Sequence, residues 1–178
     1  MDDPGGGGYS WRRVETEVPD LAARVQARLT AGRHCVLATL APDGAPRVWG
    51  TEIRFAGGEL WIGAMPGSAK VRDLDRDPRF ALHGPPLDEE MTAGDAKVRG
   101  RLERVFTAEE ARPFLAELVA TGGPPDAGTA LGTGGALPFA AYRARLVGMA
   151  LTRVDHEAGE LVVEHWRPGA GVGVSRVR

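Results

Sequence analysis

The sequence predicts an α+β fold built on a predominantly antiparallel β-barrel, with two or three helices set among six or seven strands. Three observations carry this. Between Arg33 and Gly84, short apolar-alternating runs follow one another across tight-turn signals, the pattern of paired hairpins. Helical periodicity occurs only in isolated stretches, without the regular alternation of strand and helix that a doubly wound sheet needs. No glycine run sits between a strand and a helix at the G-x-G-x-x-G spacing of a dinucleotide-binding turn. A length of 178 residues suits one domain with one substantial core.

Residues 1–19 show little apolar periodicity and read as a flexible N-terminal tail, with Tyr9 and Trp11 available to dock on the body. The domain proper is expected over 20–167. Leu21, Val25 and Leu29, with Asp20 before them and Gly32 after, form one amphipathic helix. Cys35 to Leu40 is a strand, Pro42-Asp43-Gly44 a tight turn, Pro46 to Phe55 the returning strand, Gly57-Gly58 a second turn, and Glu59 to Ala64 a third strand. Ser68 then caps a short helix with Lys70 in its first turn. Pro78 to His83 gives another strand, and Pro85 to Gly94 an acidic loop. Ala96 to Phe106 is a long strand that bends or bulges at Gly100. Thr107 and Glu110 have capping-box spacing and open a helix running to Ala120. The Gly- and Pro-rich stretch from Gly122 to Leu137 is either a flap or a linker. Two strands, Phe139 to Val154 and Glu160 to Trp166, flank a turn, and 168–178 is a loop-like C-terminal tail.

Composition excludes several classes. The formal charge of −2, with arginines interspersed among acids, gives no basic face for nucleic acid. No apolar run approaches the roughly 20 residues that span a bilayer, and the N-terminus lacks a signal-like pattern, so a soluble, cytoplasmic protein is expected. Cys35, alone and in mid-strand, reads as a buried core residue. Only Lys70 and Lys97 are lysines in an arginine-dominated chain, which draws attention to both as compact point charges. The Ser68 helix start has two readings. It is a phosphate receptor, with free N–H groups, a hydroxyl and Lys70 converging on an anion, or Ser68 only caps the helix and Lys70 is solvated. The chain holds no Ser/His/Asp order, paired carboxylates or metal-ligand spacing, which agrees with cofactor-centred chemistry.

LATLAPDGAPRV, GELWIGAMPGSAKVRDLDRDPRFAL and AKVRGRLERV resemble the FMN-binding split-barrel proteins related to pyridoxamine 5'-phosphate oxidase, over roughly Leu21 to Trp166. Its arginine-rich composition suggests an actinobacterial type. The resemblance implies a six-stranded split barrel that forms a homodimer, with one flavin in each of two clefts between subunits and hydride transfer to or from a small-molecule substrate. Arg47, Val48, Trp49 and Gly50 would line the cofactor; Ser68 and Lys70 would contact its phosphate. Arg72, Arg99 and Lys97 are candidates to supplement that pocket.

The oxidase pattern itself fails at three places. Its strand lysine for the substrate phosphate reads Glu52, its Tyr-Thr pair reads Gly63-Ala64, and its late Arg-x-His element has no match in Glu164 to Pro168. Oxidation of pyridoxamine phosphate is therefore not expected. The related deazaflavin reductases share the barrel and a G-S-x-K-x-x-N-L helix, here Gly67-Ser68-Ala69-Lys70-Val71-Arg72-Asp73-Leu74 with Asp for Asn, which makes coenzyme F-420 the alternative cofactor. A third branch binds haem through a histidine, for which His34, His83, His156 and His165 are candidates, the last two read as solvent-facing. A non-catalytic flavin or haem binder is the competing class.

Overall fold

One extended segment reaches both margins of the main sheet. The computed structural model describes residues 7–178, with α1 (Trp11–Glu17), α2 (Pro19–Leu29), β1 (Cys35–Leu40), β2 (Pro46–Thr51), β3 (Ile53–Ala56), β4 (Glu59–Ala64), α3 (Ala69–Arg76), β5 (Arg79–His83), β6 (Asp95–Thr107), α4 (Arg112–Ala120), α5 (Pro125–Thr133), β7 (Ala136–Asp155), β8 (Glu160–Arg167) and β9 (Gly171–Val177). The strands pair in the order β2-β1-β5-β6-β7-β4-β3, all antiparallel, with β8 and β9 continuing from β7. β2 and β3 stand at opposite ends of that order, yet only Glu52 separates them in the chain. Among the described residues the architecture is α+β, with five helices around a large antiparallel sheet.

β7 pairs with β6 along most of its length and changes its other neighbour midway. Trp61–Ala64 of β4 pair with Ala140–Arg143, and Glu160–Trp166 of β8 pair with Met149–Asp155. Backbone groups between those two pairings need partners. Tyr9 supplies them: its N–H donates to Leu146 O at 2.7 Å and its carbonyl accepts from Leu146 N–H at 2.8 Å. The bend in β6 expected at Gly100 is present as a register shift between Arg99 and Gly100. A Cβ at Gly100 would stand 1.9 Å from the Arg145 carbonyl oxygen, so only glycine permits this approach.

The N-terminal tail expected over 1–19 is corrected where it is described; residues 1–6 lie outside the described residues. Ser10 caps α1, and Trp11, Val14 and Val18 are buried. The Trp11 ring packs 4.6 Å from Phe55, and its Nε1–H donates to Gln26 Oε1 at 3.0 Å. Three buried apolar side chains at helical spacing outweigh the glycine run before them. The loop-like C-terminal tail is also corrected, because β9 pairs with β8 from Gly171 to Val177. The 122–137 stretch, expected as flap or linker, holds α5, whose Ala127 and Ala130 pack with Leu115, Leu118 and Phe114 in a second core cluster. Small alanines let two helices approach closely, a signal that reads as low apolarity in sequence.

α4 starts at Arg112 instead of Thr107. The Thr107–Glu110 contacts form, with Glu110 N–H donating to Thr107 Oγ1 at 3.3 Å and that hydroxyl donating to Glu110 Oε2 at 2.9 Å. They close a turn instead of capping the helix. Pro113 explains the delay, because a residue without an N–H belongs in a first turn. Among the described residues no helix is long and apolar enough to cross a membrane.

Candidate functional site

α3 assembles the site. Gly67, at φ +71°, turns the chain after β4. Ser68 then takes extended geometry, and its Oγ accepts from the Val71 N–H at 3.3 Å. This cap leaves the Ala69 and Lys70 N–H groups without an intrahelical acceptor, at the positive end of the helix dipole. Val71 and Leu74 are buried and fix the helix against the main core. From the first turn Lys70 reaches β2, where Nζ donates to Gly50 O and to Thr51 Oγ1, each at 3.3 Å. Burial holds its pKa below the ordinary lysine value. One ammonium N–H remains for another acceptor.

One turn further on, Asp73 is buried to 1% exposure. Its carboxylate accepts from Thr39 Oγ1 at 3.1 Å, from Arg47 Nη1 at 3.3 Å to each oxygen, and from Arg76 Nη2 at 3.3 Å. Thr39 in turn accepts from Trp49 Nε1 at 2.8 Å. A chain of donors therefore ties β2 to β1 and β1 to α3, with one negative charge at its centre and two arginines around it. A buried carboxylate without those partners would be costly.

The six cofactor residues expected from the sequence divide by strand alternation. Arg47 and Trp49 face the Thr39–Asp73 network, and Trp49 packs partly buried against the main core. Val48 and Gly50 point to the other face, where Val48 is 70% exposed and the position of a Gly50 Cβ meets no heavy atom within 4 Å. Ser68 and Lys70 join the first group. So β2 presents polar anchors on one side and an open apolar strip on the other, and the six do not line a single surface. Lys97 and Arg99, grouped with the phosphate pocket from the sequence, project from the face that carries Val48 and Gly50 and not from that of Ser68 and Lys70, because their register partners His83 and Ala81 pair with Val36 and Ala38 and alternate with buried Leu82 and Phe80. Arg72 folds back to the Gly67 carbonyl.

Sequence reasoning missed Thr39, Thr51 and Asp73 as site residues. Period-2 alternation with buried Cys35 and Leu37 puts Thr39 on the inward face, and Asp73 sits between the buried positions Val71 and Leu74. Those were the available signals.

Glu52 accepts from Arg33 Nε at 2.8 Å and from Arg54 Nη2 at 3.2 Å. Burial raises its pKa, but those two arginines outweigh it and hold the carboxyl below its ordinary range. The histidines are dispersed. His34 is exposed near Glu52, and His156 Nε2–H donates to Glu90 O at 2.9 Å. His83 and His165 face the same cleft on the outer sheet. His165 is half-buried over Gly173, which corrects the solvent-facing reading. Among the described residues no group of three or more His, Cys, Asp or Glu is arranged to hold a metal ion.

Comparison with known proteins adds the family. PhzG from Burkholderia lata, solved with tetrahydrophenazine-1-carboxylic acid, superposes with a TM-score of 0.60 at 15% identity, over 99% of this chain and 95% of that one. A pyridoxamine 5'-phosphate oxidase-related, FMN-binding protein from Nostoc punctiforme gives 0.57 at 16% identity, over 94% and 96%. An F-420 reductase gives 0.50 at 19% identity, over 70% and 94%. These likenesses establish the fold. No curated protein matches the sequence. The sequence model of the pyridoxamine 5'-phosphate oxidase family matches residues 21–131, more than half of the chain, and the protein therefore belongs to that family.

Proposed function

We propose that the protein is a cytoplasmic, homodimeric flavoprotein that binds FMN beside α3 and β2 and exchanges hydride between it and a small molecule. In this reading β2 and β3 count as one bent strand, closing a six-stranded split barrel. The single observation that carries the proposal is that α3 lies along β2, its capped start and Lys70 at the Gly50–Thr51 end and its Asp73 holding Arg47 near the other. This donor set fits a phosphate. Lys70 brings a compact cation with a free N–H, α3 brings two unpaired backbone donors, and Arg47 brings a half-exposed guanidinium, 42% accessible. Open space at Gly50 admits a flat ring against the β2 backbone.

Bound FMN supplies the hydride chemistry, and the chain supplies position and charge. Asp73 fixes Arg47, and Thr39 fixes the Trp49 indole, so the anchors are set before the ligand arrives. A second copy covering the exposed Val36 and Val48 strip would complete the cleft. Oxidation of pyridoxamine phosphate is not part of the proposal, because Glu52, committed to Arg33 and Arg54, presents an acid to a substrate phosphate. Coenzyme F-420 is the second reading, supported by the Gly67-Ser68-Ala69-Lys70 helix start, which serves either phosphate-bearing cofactor.

The test is the absorption spectrum of the purified protein, with mass spectrometry of the released ligand, from a host that makes both cofactors. FMN supports the first reading and the deazaflavin the second. No ligand, even after titration, refutes both. Lys70→Ala should weaken FMN binding about 10- to 100-fold, the equivalent of one charge-assisted hydrogen bond. Unchanged affinity removes the phosphate site from α3.

A further inference from the structure

Eight residues make α3, and a helix of about two turns does not hold its place by its own hydrogen bonds. Packing has to supply that. Val71 and Leu74, one turn apart on one face, are buried in the main core and set the depth of the helix. They do not set its rotation about its own axis. At roughly 100° per residue, Lys70 and Asp73 fall on one flank of that buried face and Asp75 on the other. The strands follow the same division. Asp73 is held from β1 and β2 by Thr39 and Arg47, and Asp75 is held from β6 and β7.

The Tyr142 hydroxyl on β7 donates to Asp75 Oδ1 at 3.0 Å, and Arg104 Nη1 on β6 donates to Oδ2. Arg104 and Tyr142 are register partners across the two strands. The Arg104 guanidinium lies 5.3 Å from the ring centre of Phe106 and 6.0 Å from that of Tyr142, which gives the exposed Phe106 ring a charge to cover. Tyr142 itself is 1% exposed. Burial, and then the Asp75 carboxylate, raise its phenol above the ordinary tyrosine value. At neutral pH it is therefore a fixed donor.

Stability alone accounts poorly for this cluster. Asp75 and Arg104 keep 38% and 32% of their side chains exposed, a setting in which an ion pair contributes little. What the cluster adds is direction. Two donors from two strands fix one carboxylate on a helix whose other flank bears Lys70. A turn of α3 that released Asp75 would swing Lys70 Nζ away from Gly50 O and Thr51 Oγ1. Those contacts are already 3.3 Å each, so a small displacement breaks them.

We propose that Asp75, Tyr142 and Arg104 are positioning residues for the phosphate anchor: they fix the rotation of α3, and with it the place of Lys70 and of the free N–H groups at the helix start. They act through the helix, from the wall of the barrel opposite β2. The identity of the anion rests on the flavin reading above; the placement of Lys70 does not.

The test uses the full chain labelled with 13C-lysine, in which Lys70 and Lys97 give the lysine side-chain signals, assigned by Lys97→Arg. Tyr142→Phe and Asp75→Asn are each compared with the native protein in the pH midpoint of the Lys70 signal, and in affinity for FMN and for riboflavin by flavin fluorescence. FMN affinity should fall about five- to tenfold, part of what one charge-assisted hydrogen bond contributes, while riboflavin, which lacks the phosphate, binds as before. The Lys70 midpoint should rise toward the ordinary lysine value, because the burial that now lowers it is relieved. The double variant should lose no more than the worse single one, since both release the same contact. An unmoved Lys70 midpoint overturns the proposal. So do FMN and riboflavin affinities that fall together, which make the cluster a support of the whole barrel. A native protein that binds no FMN refutes the FMN reading; the Lys70 titration, which needs no ligand, then decides the positioning by itself, a raised midpoint in Tyr142→Phe upholding it and an unmoved one overturning it.

Discussion

Replacing Asp73 by Asn withdraws one charge from the single buried carboxylate among the described residues and preserves its shape. The amide oxygen can still accept from Thr39, but the amide NH2 faces guanidinium donors and gives them nothing. Two charge-assisted interactions, from Arg47 and Arg76, are lost, each worth roughly 1.5–3 kcal/mol when fully enclosed. Arg47 and Arg76 keep 42% and 38% of their side chains exposed, so water recovers about half of that value. The expected cost is about 1.5–3 kcal/mol, or roughly 3–12 °C in Tm for a chain of this size. Urea unfolding at pH 7 measures it: the midpoint falls while the m-value holds. Arg47→Met in the Asp73→Asn background should then cost less than in the native protein, because its partner is already gone. An Asp73→Asn variant within about 0.5 kcal/mol of the native protein would refute the reasoning, since a change that small is typical of a surface site.

Gly100→Ala should destabilise by about 3 kcal/mol or more, because the added Cβ meets the Arg145 carbonyl at 1.9 Å and neither paired backbone can withdraw; an unchanged melting curve would contradict the close approach. Several carboxylates are held below their ordinary range, Asp77 to about 2 by hydrogen bonds from Arg79, Asp155 by the Ala158 N–H and Arg176, and Glu164 by Arg24. A folded pKa below the unfolded one gives stability that is present above the ordinary carboxylate value of about 4 and is lost as pH falls through the folded value; urea midpoints should therefore drop steadily between about pH 4 and about pH 2. Burial pushes the Cys35 thiol up to about 11, so an aromatic disulfide reagent at pH 8 should label it slowly in the folded protein and at once in urea. Rapid labelling of folded protein would mean that the first strand opens readily.

The parts of the fold visible in the sequence were those in which local chemistry and tertiary contact agree. β1, the run Pro46–Phe55 and β4 follow from turn residues between alternating runs, and the bend at Gly100 follows from a glycine where the alternation needs a side chain; the division of Pro46–Phe55 into β2 and β3 at opposite ends of the strand order was not visible, because no turn residue marks it. The helix start at Ser68 was legible for the same reason, since a cap is a local device. Elements that depend on distant partners were hidden. α1 exists because Trp11 meets Phe55 and Gln26, β9 because β8 offers an edge, and α5 because Ala127 and Ala130 fit against α4. The site divides along the same line. Ser68 and Lys70 announce themselves by spacing, whereas Asp73 looks like one more acid in a helix of alternating charge until Thr39 and Arg47 are seen to point at it.

The contact between Tyr9 and Leu146 also orders events during synthesis. Tyr9 leaves the ribosome early, and the strand that accepts it is made near the end. Until β7 emerges, the Tyr9 backbone has no sheet to join, and α1 lacks Trp166, whose Nε1–H donates to Glu17 Oε1 at 3.0 Å in the finished protein. A nascent chain can therefore seat Trp11 against Phe55 and Gln26 before β7 is made, whereas the Tyr9–Leu146 and Glu17–Trp166 contacts close only afterwards. The last contacts of the segment around α1 therefore wait on β7 and β8, which couples the two ends of the domain in one closing step.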